Sequence, residues 1–189
     1  MLRNAEEYPA RLDIEYPQSL DRISTLLRPI LAIPILFLMY FMPSVMFPPV
    51  ALMLLARRKY PRWWFDFNLE LTRLQNRVYA YLNLMTDDYP STDDEQSVKV
   101  DLDYPDADQL SRWLPLVKWA LALPHYVVIV VLAMLLTIAV VIAWLAILFT
   151  GTYPRPLFTF VLNAERWNLR VEAYAFLLIT DRYPPFRLG

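Results

Sequence analysis

Two pairs of arginines at helical spacing are the residues of this chain whose types and positions could bind a ligand. Arg73 and Arg77 lie four residues apart, and so do Arg166 and Arg170. Like charges at that spacing destabilise a helix by about 0.2–0.5 kcal/mol, so each pair requires a compensating interaction. The candidates are the phosphate of a lipid headgroup, a buried acidic partner, or water reached by snorkelling along the membrane interface.

Two aspartates near the ends of the same predicted helices are the acidic partners we consider. A helix dipole disfavours an anion at the C-terminal end, so Asp87 and Asp181 suit an arginine partner or a turn. The candidate lipid-headgroup or ion-pair residues are therefore Arg73, Arg77, Arg166, Arg170, Asp87 and Asp181.

Other kinds of chemistry find little support in the sequence. The chain has no cysteine, which excludes disulfides, thiolate metal sites and cysteine nucleophiles. His125 is the single histidine, so we expect its side chain to pack at the membrane interface rather than to transfer a proton or bind a cofactor. No catalytic triad, paired carboxylate site or metal-ligand spacing is present. We therefore expect no enzymatic activity, no catalytic residue, no metal and no cofactor.

The charges of the chain are confined to the segments that flank two apolar runs. Residues 29–56 and 119–154 contain no Asp, Glu, Lys or Arg. A bilayer core spans about 20 helical residues and excludes charge, so either run is long enough to cross a membrane. The 18 basic and 19 acidic residues nearly balance, and no bulk positive field indicates nucleic-acid binding.

The chain also repeats itself. DIEYP at 13–17 returns as DLDYP at 101–105, and RLQNRVYAYLNLMTDDYP at 73–90 returns as RWNLRVEAYAFLLITDRYP at 166–184. Each copy contains one apolar run, so the repeated unit is a membrane unit. The predicted organisation is a first membrane repeat at 1–90, an acidic linker at 91–97 and a second membrane repeat at 98–189.

The pattern of each repeat predicts a mainly α-helical unit that is preceded by a short strand. Apolar and polar residues alternate in 10–16 and 98–103, which predicts strands that could pair with each other, or else extended linkers. Short helices are expected around 18–28 and 107–118. Apolar side chains at helical spacing then predict amphipathic helices, through Leu71, Leu74, Val78, Tyr81 and Met85, and through Phe160, Ala164, Trp167, Val171, Tyr174 and Leu178. Glu165, Arg166, Arg170 and Glu172 lie mostly elsewhere on the helical wheel.

Two topologies fit the apolar runs. Each run could be one tilted transmembrane helix, or a hairpin that dips into the membrane and returns. Several prolines, with Pro43 near the middle, predict a broken first run, whereas the second run has only Pro124 near its start. Basic residues flank both ends of both runs, which favours the hairpin, although no turn signal lies between Val127 and Trp144.

The second half resembles a known family. The residues TGTYPRPLFTF at 150–160, followed by RWNLRVEAYAFLLITDRYPPF at 166–186, resemble bacterial membrane proteins known as domain of unknown function 4389. LSRWLPLVKWALALPHY at 110–126 resembles the N-terminal part of that family, and so does YPQSLDR at 16–22 with LLRPILAIP at 26–34, as two tandem copies. The resemblance implies an integral membrane location and transfers no catalytic residue.

The expected function is that of a non-enzymatic accessory or scaffolding subunit in a membrane assembly, or of a self-associating membrane protein. The alternative is a protein that binds or transports a lipid or small hydrophobic ligand through its interfacial arginines. In either case the partners are membrane lipids together with other membrane subunits or further copies, and nucleic acid is not among them. We expect a multi-pass protein of the bacterial inner membrane with its polar regions in the cytoplasm.

Overall fold

The computed structural model describes residues 8–41, 43–92 and 94–189 as a mainly helical fold with one small sheet. The predicted acidic linker includes Asp93, which lies outside the described residues, while its neighbours Asp94 and Glu95 are exposed. In chain order the elements are β1 Ala10–Ile14, α1 Arg22–Leu31, α2 Ile33–Phe41, α3 Pro43–Arg57, α4 Arg62–Leu82, β2 Val98–Leu102, α5 Lys118–Leu121, α6 Leu123–Thr150 and α7 Arg155–Ala175.

The second apolar run forms one continuous helix. α6 has 28 residues, so it is about 42 Å long, and it is long and apolar enough to cross a membrane by length and composition. Pro124 stands in its first turn, where a missing N–H is tolerated. Gly151 ends the helix with a φ of 74° and donates its N–H to the Ile147 carbonyl at 2.7 Å. The hairpin predicted for this run is wrong, because no turn-forming residue interrupts the run before Gly151.

The described residues of the first apolar run are helical over α1, α2 and α3. Asp21 caps α1 by accepting a hydrogen bond from the Ser24 N–H at 2.7 Å. α2 begins one residue before Pro34, and α3 begins at Pro43. Proline lacks a backbone donor and disfavours the helical conformation in the preceding residue, so helices tend to end before it. The break predicted near Pro43 falls beside Met42, which lies outside the described residues, so it stays a prediction.

The short helix predicted over 107–118 is wrong for most of that segment. A single 3-10 turn covers Leu114–Leu116, and α5 has only four residues. The carboxylate of Asp106 accepts hydrogen bonds from the Asp108 N–H at 3.2 Å and from the Gln109 side chain at 2.9 Å. Such local bonds offer the backbone an alternative to the helix.

The two predicted strands exist and pair with each other. β1 and β2 form an antiparallel two-stranded sheet in which Leu12 lies opposite Val100, at the centre of both strands. Inward-facing apolar side chains alternate with outward-facing polar ones, as the period of a half-buried strand requires. The polar segments in front of the two apolar runs therefore lie on the same side of the molecule.

The amphipathic helices α4 and α7 lie between this sheet and the apolar helices. α4 packs on β2, and α7 packs on β1 and on α6, so each amphipathic helix covers the strand from the other half of the chain. The predicted apolar face of α7 is confirmed at its buried positions Ala164, Trp167, Val171 and Tyr174. Both helices also bury polar side chains that the helical wheel did not predict: Asn68, Thr72, Gln75, Asn76, Glu165 and Arg170.

The apolar helices form an outer layer on α4 and α7. A stripe of buried residues on α6, His125, Leu132, Ala139, Ala143 and Ile147, faces the rest of the protein. The Trp144 side chain donates a hydrogen bond to the Thr25 carbonyl at 3.1 Å, which joins α6 to α1. The molecule thus has three layers: the sheet, the pair α4 and α7, and the apolar helices.

Filling the small-residue stripe of α6 should destabilise the protein. Ala143 is 0% exposed, whereas Val141 is 54% exposed on the opposite face. Ala143→Leu should lower the free energy of unfolding by about 1–3 kcal/mol through overpacking, measured by thermal unfolding in detergent. Val141→Leu is the matched control and should leave the transition unchanged; equal effects of both substitutions would contradict the packing.

Candidate functional site

The polar groups buried beneath the apolar layer form the candidate functional site, and the first of them is a cation from α1. The Arg28 side chain is only 2% exposed. Its Nη2 lies 2.6 Å from Asp87, and its Nη1 donates to the Tyr81 and Thr86 carbonyls at 2.9 Å each. The guanidinium also lies over the Tyr81 ring at 4.5 Å, where the ring quadrupole attracts it.

The second buried cation has the same surroundings in the other half of the chain. Lys118 is 0% exposed, and its Nζ lies 2.7 Å from Asp181 and 2.8 Å from the Thr180 carbonyl. The amine lies 5.2 Å from the centre of the Tyr174 ring. Burial lowers the pKa of this amine, while the hydrogen bond and the charge of Asp181 oppose that effect.

The two aspartates also hold the backbone at the entrance of each apolar run. Asp87 accepts a hydrogen bond from the Asp21 N–H, and Asp181 accepts one from the Ser111 N–H, each at 2.7 Å. Each aspartate lies in the segment that follows an amphipathic helix. Its carboxylate binds both the buried cation and the backbone that leads into an apolar run. The paired arginines are not the partners of these aspartates, so that prediction is wrong. The sequence signal for the true partners is that Arg28 and Lys118 occupy equivalent positions of the repeat.

The paired arginines bind backbone carbonyls on the sheet side of α4 and α7. Arg73 Nε donates to the Val100 carbonyl at 3.3 Å, and Arg166 Nε donates to the Leu12 carbonyl at 2.8 Å. These contacts are reciprocal, because Leu12 and Val100 face each other in the sheet. Arg166 also pairs with Asp13 at 3.1 Å and Arg73 with Glu70 at 2.6 Å.

The second arginine of each pair binds a loop. Arg77 donates to the carbonyl of Ser91, just after α4, and Arg170 donates to the carbonyl of Arg187 in the C-terminal tail at 2.5 Å. The like charges at helical spacing are thus directed to separate acceptors. All of the paired arginines therefore tie strands and loops to the helices that carry them.

A small cavity lies between α4, α6 and α7. Its volume is about 200 Å³, and residues lining it include Gln75, Tyr79, Tyr126, Glu172 and Phe176. The Glu172 carboxylate accepts a hydrogen bond from Gln75 at 3.3 Å. The buried Tyr126 hydroxyl has no hydrogen-bond partner in the part of the chain that the structure describes, so the cavity presents a carboxyl group and a hydroxyl among aromatic rings.

Two glutamates of α7 share this polar interior. Glu165 is 8% exposed and accepts a hydrogen bond from Asn83 at 2.8 Å. Burial raises the pKa of Glu165 to about 7, and burial likewise raises the pKa of Glu172 to about 7. Both carboxyl groups therefore titrate near neutral pH, which the sequence did not predict because the helical wheel put them off the apolar face.

His125 packs among aromatic rings in the first turn of α6. Its imidazole is fully buried, stacks on Phe186 at 4.0 Å and accepts a hydrogen bond on Nδ1 from Trp167 at 3.0 Å. The tail after α7 covers it. Among the described residues, no group of three or more histidine, aspartate or glutamate side chains could hold a metal ion.

Removing the amine of Lys118 should destabilise the fold, since Asp181 would lose its buried partner. Lys118→Met should lower the free energy of unfolding by about 3 kcal/mol, measured by thermal unfolding in detergent. Lys59→Met removes an exposed cation and should change little. A variant of Lys118 that melts like the Lys59 control would contradict a stabilising role for the pair.

The stability should also depend on pH through Glu165 and Glu172. Both carboxyl groups bind protons more tightly in the folded state than the ordinary value of 4.5 allows, so the contribution is complete below pH 4.5 and is lost as the pH rises to 7. The loss should be about 1–3 kcal/mol, seen as a lower melting temperature at pH 8 than at pH 5. Glu165→Gln with Glu172→Gln should flatten this dependence, and Glu70→Gln on the exposed face of α4 should not. A slope that survives the double substitution would refute the assignment.

Part of the second half of the chain matches a known family. Residues 112–187 match the family described as Domain of unknown function (DUF4389). No curated protein and no solved structure matches the chain significantly. The matched segment contains the pair of Lys118 with Asp181 and extends from the turn before α5 to the tail after α7. The resemblance of this half is confirmed, and the resemblance of the first half stays a prediction.

Proposed function

We propose that this chain is a non-enzymatic integral membrane protein that acts as an accessory or scaffolding subunit, either of a larger membrane assembly or of an assembly of its own copies. The observation that carries the proposal is the apolar surface on the outer side of α1, α2, α3 and α6. Soluble monomers rarely expose contiguous apolar patches above roughly a few hundred Å². The outward side chains that are more than half exposed include Ile23, Leu26, Ile30, Ile33, Phe37, Leu52, Val127, Val130, Met134, Ile138, Val141 and Phe149.

The location that suits this surface is the bacterial inner membrane, with the polar layers in the cytoplasm. Basic residues concentrate on the cytoplasmic side of membrane proteins. Exposed arginines and a lysine flank the apolar layer at both of its ends, at Arg22, Arg57, Arg58, Lys59, Arg112 and Arg155.

A tandem duplication is the proposed origin of the architecture. The cations Arg28 and Lys118 share a set of partners, and Arg73 and Arg166 each bind the strand of the other half. The Tyr16 hydroxyl likewise donates to the Tyr153 carbonyl, as the Tyr104 hydroxyl does to the Tyr60 carbonyl. Such reciprocal contacts support two copies of one unit that exchange their N-terminal segments.

A structural role follows from what the buried polar groups contact. Arg28 and Lys118 bind carboxylates and carbonyls of the chain itself, as groups that hold a fold together do. The apolar layer would keep the protein in the bilayer and meet neighbouring subunits at its edges, where packing and shape drive association in lipid.

A second candidate function, lipid or small hydrophobic ligand binding, is favoured by a cleft in the apolar layer. The cleft has a volume of about 340 Å³ and lies between α1, α6 and the end of α4. Val140, Val141 and Trp144 line it, together with Thr25 and Arg28. Among the described residues, the buried Thr25 hydroxyl and the Arg28 Nε have no hydrogen-bond partner, so an acyl chain with an acceptor group would suit the cleft.

The accessory role predicts a stable protein complex in the membrane. After gentle detergent extraction, native mass spectrometry should give a mass greater than that of one chain. Crosslinking of intact membranes with a lysine-reactive reagent before extraction should give a discrete protein adduct of the same complex. The same reaction after denaturation in sodium dodecyl sulfate is the control and should give none.

The rival function gives a different result in the same measurements. A single chain that retains one lipid and gives no protein adduct would reject the accessory role and support ligand binding. Thr25→Val would then reduce the retained lipid, since it removes the free hydroxyl of the cleft.

A further inference from the structure

α7 packs on α6, and β1 packs on α7. Near the start of α6, the Tyr8 hydroxyl donates to the Arg182 carbonyl at 3.3 Å, next to the Asp181 that binds Lys118 in α5. At the far end, beyond Gly151, the Tyr16 hydroxyl donates to the Tyr153 carbonyl. The strand between Tyr8 and Tyr16 therefore lies between the levels of the two ends of α6.

α7 lies between β1 and α6. On one side, Arg166 Nε donates to the Leu12 carbonyl in the middle of the strand. On the other side, Trp167 Nε1 donates to His125 in the first turn of α6, and Trp167 belongs to the same apolar cluster as Leu132. The sheet is thus separated from α6 by α7 and lies beside α6 rather than beyond either of its ends.

The outer face of the sheet is charged at these levels. The Asp13 side chain is 74% exposed and that of Asp101 is 59% exposed, and Arg11 and Lys99 lie beside them. If α6 crossed the bilayer from one surface to the other, these charges would face hydrocarbon at intermediate depth. Exposed charge inside a membrane is rare because its desolvation is costly, so a crossing orientation of α6 conflicts with the rest of the fold.

A different orientation removes the conflict. The apolar side chains of α1, α2, α3 and α6 are on the outer side of one layer, and the exposed charges of the sheet are two layers away. Three tryptophans of the flanking segments, Trp63, Trp113 and Trp119, are 66%, 67% and 52% exposed. Tryptophan is enriched at the headgroup level of membranes, so the flanking segments suit the boundary between hydrocarbon and water.

We propose that the protein inserts its apolar layer into one leaflet from one side of the membrane, so that α6 lies along the bilayer instead of crossing it. The occupant of the apolar face is then the hydrocarbon of that leaflet. This inference rests on the proposed membrane location and replaces the multi-pass topology expected from the sequence. Both ends of both apolar runs, the amphipathic helices and the sheet are all on one side of the membrane.

The depth of three sites on one face of α6 tests the proposal. Val127, Ile138 and Phe149 are spaced by eleven residues, which returns nearly to the same side of a helix, and each is more than half exposed. The chain has no cysteine, so Val127→Cys, Ile138→Cys and Phe149→Cys can each carry one nitroxide label. The labelled full chain is placed in vesicles of phosphatidylethanolamine and phosphatidylglycerol, and label depth is measured by collision with oxygen and a water-soluble nickel chelate.

The proposed orientation predicts similar depths at all three sites. A crossing helix instead puts Ile138 at least about 10 Å deeper than both other sites, since its middle lies near the centre of a core about 30 Å thick, and that result overturns the proposal. A label at Lys99→Cys should stay in water. Circular dichroism that matches the unlabelled chain identifies variants that keep the fold.

Sided labelling provides an independent measurement in cell membranes. Thr152→Cys and Ser111→Cys place exposed thiols near the two ends of α6, and a membrane-impermeant maleimide should reach both from the same side only. Reaction from opposite sides overturns the single-leaflet orientation while the proposed membrane location stands. Release of the protein by alkaline carbonate overturns the membrane location itself, and with it this inference.

Discussion

The fold depends on one buried cation in each half of the chain. Arg28 and Lys118 lie under the apolar layer, where an unpaired charge would cost several kcal/mol, and each is neutralised by an aspartate and solvated by backbone carbonyls. Because Asp87 and Asp181 also hold the start of a run through the Asp21 and Ser111 amides, satisfying the charge determines where the apolar layer sits on the helices beneath it.

The middle layer separates two incompatible surfaces. α4 and α7 contact apolar helices on one side and a charged sheet on the other, and polar side chains are buried between the two helices. Glu165 and Glu172 belong to this interior, and burial without a cationic partner brings their pKa close to neutral pH. The same burial makes the stability of the middle layer sensitive to pH near neutrality, while the apolar runs contain no Asp or Glu.

The two halves of the chain stabilise each other because each contributes a strand to the other. Each amphipathic helix covers the strand of the other half, and each first arginine binds that strand at its centre. Neither half could bury its helix without the other strand. The first arginine of each pair therefore holds the strand of the other half through its carbonyl. The like-charge repulsion within each pair is offset because the two arginines bind different segments.

Local patterns in the sequence determined the strands, the amphipathic helices and the charge-free runs. Each follows from the residue types in a short stretch or from which side chains share a face, so a short window contains the information. The hairpin predicted for the second run was wrong, because flanking basic residues are a weaker signal than an uninterrupted apolar run. The helix predicted over 107–118 was wrong, because the Asp106 side chain binds the backbone locally.

Only the tertiary structure decided that Asp87 meets Arg28 rather than an arginine of its own helix, that Glu165 is buried, and that a charged sheet lies alongside α6. Those facts depend on how distant faces pack, and packing between residues far apart in sequence leaves no trace in the local pattern.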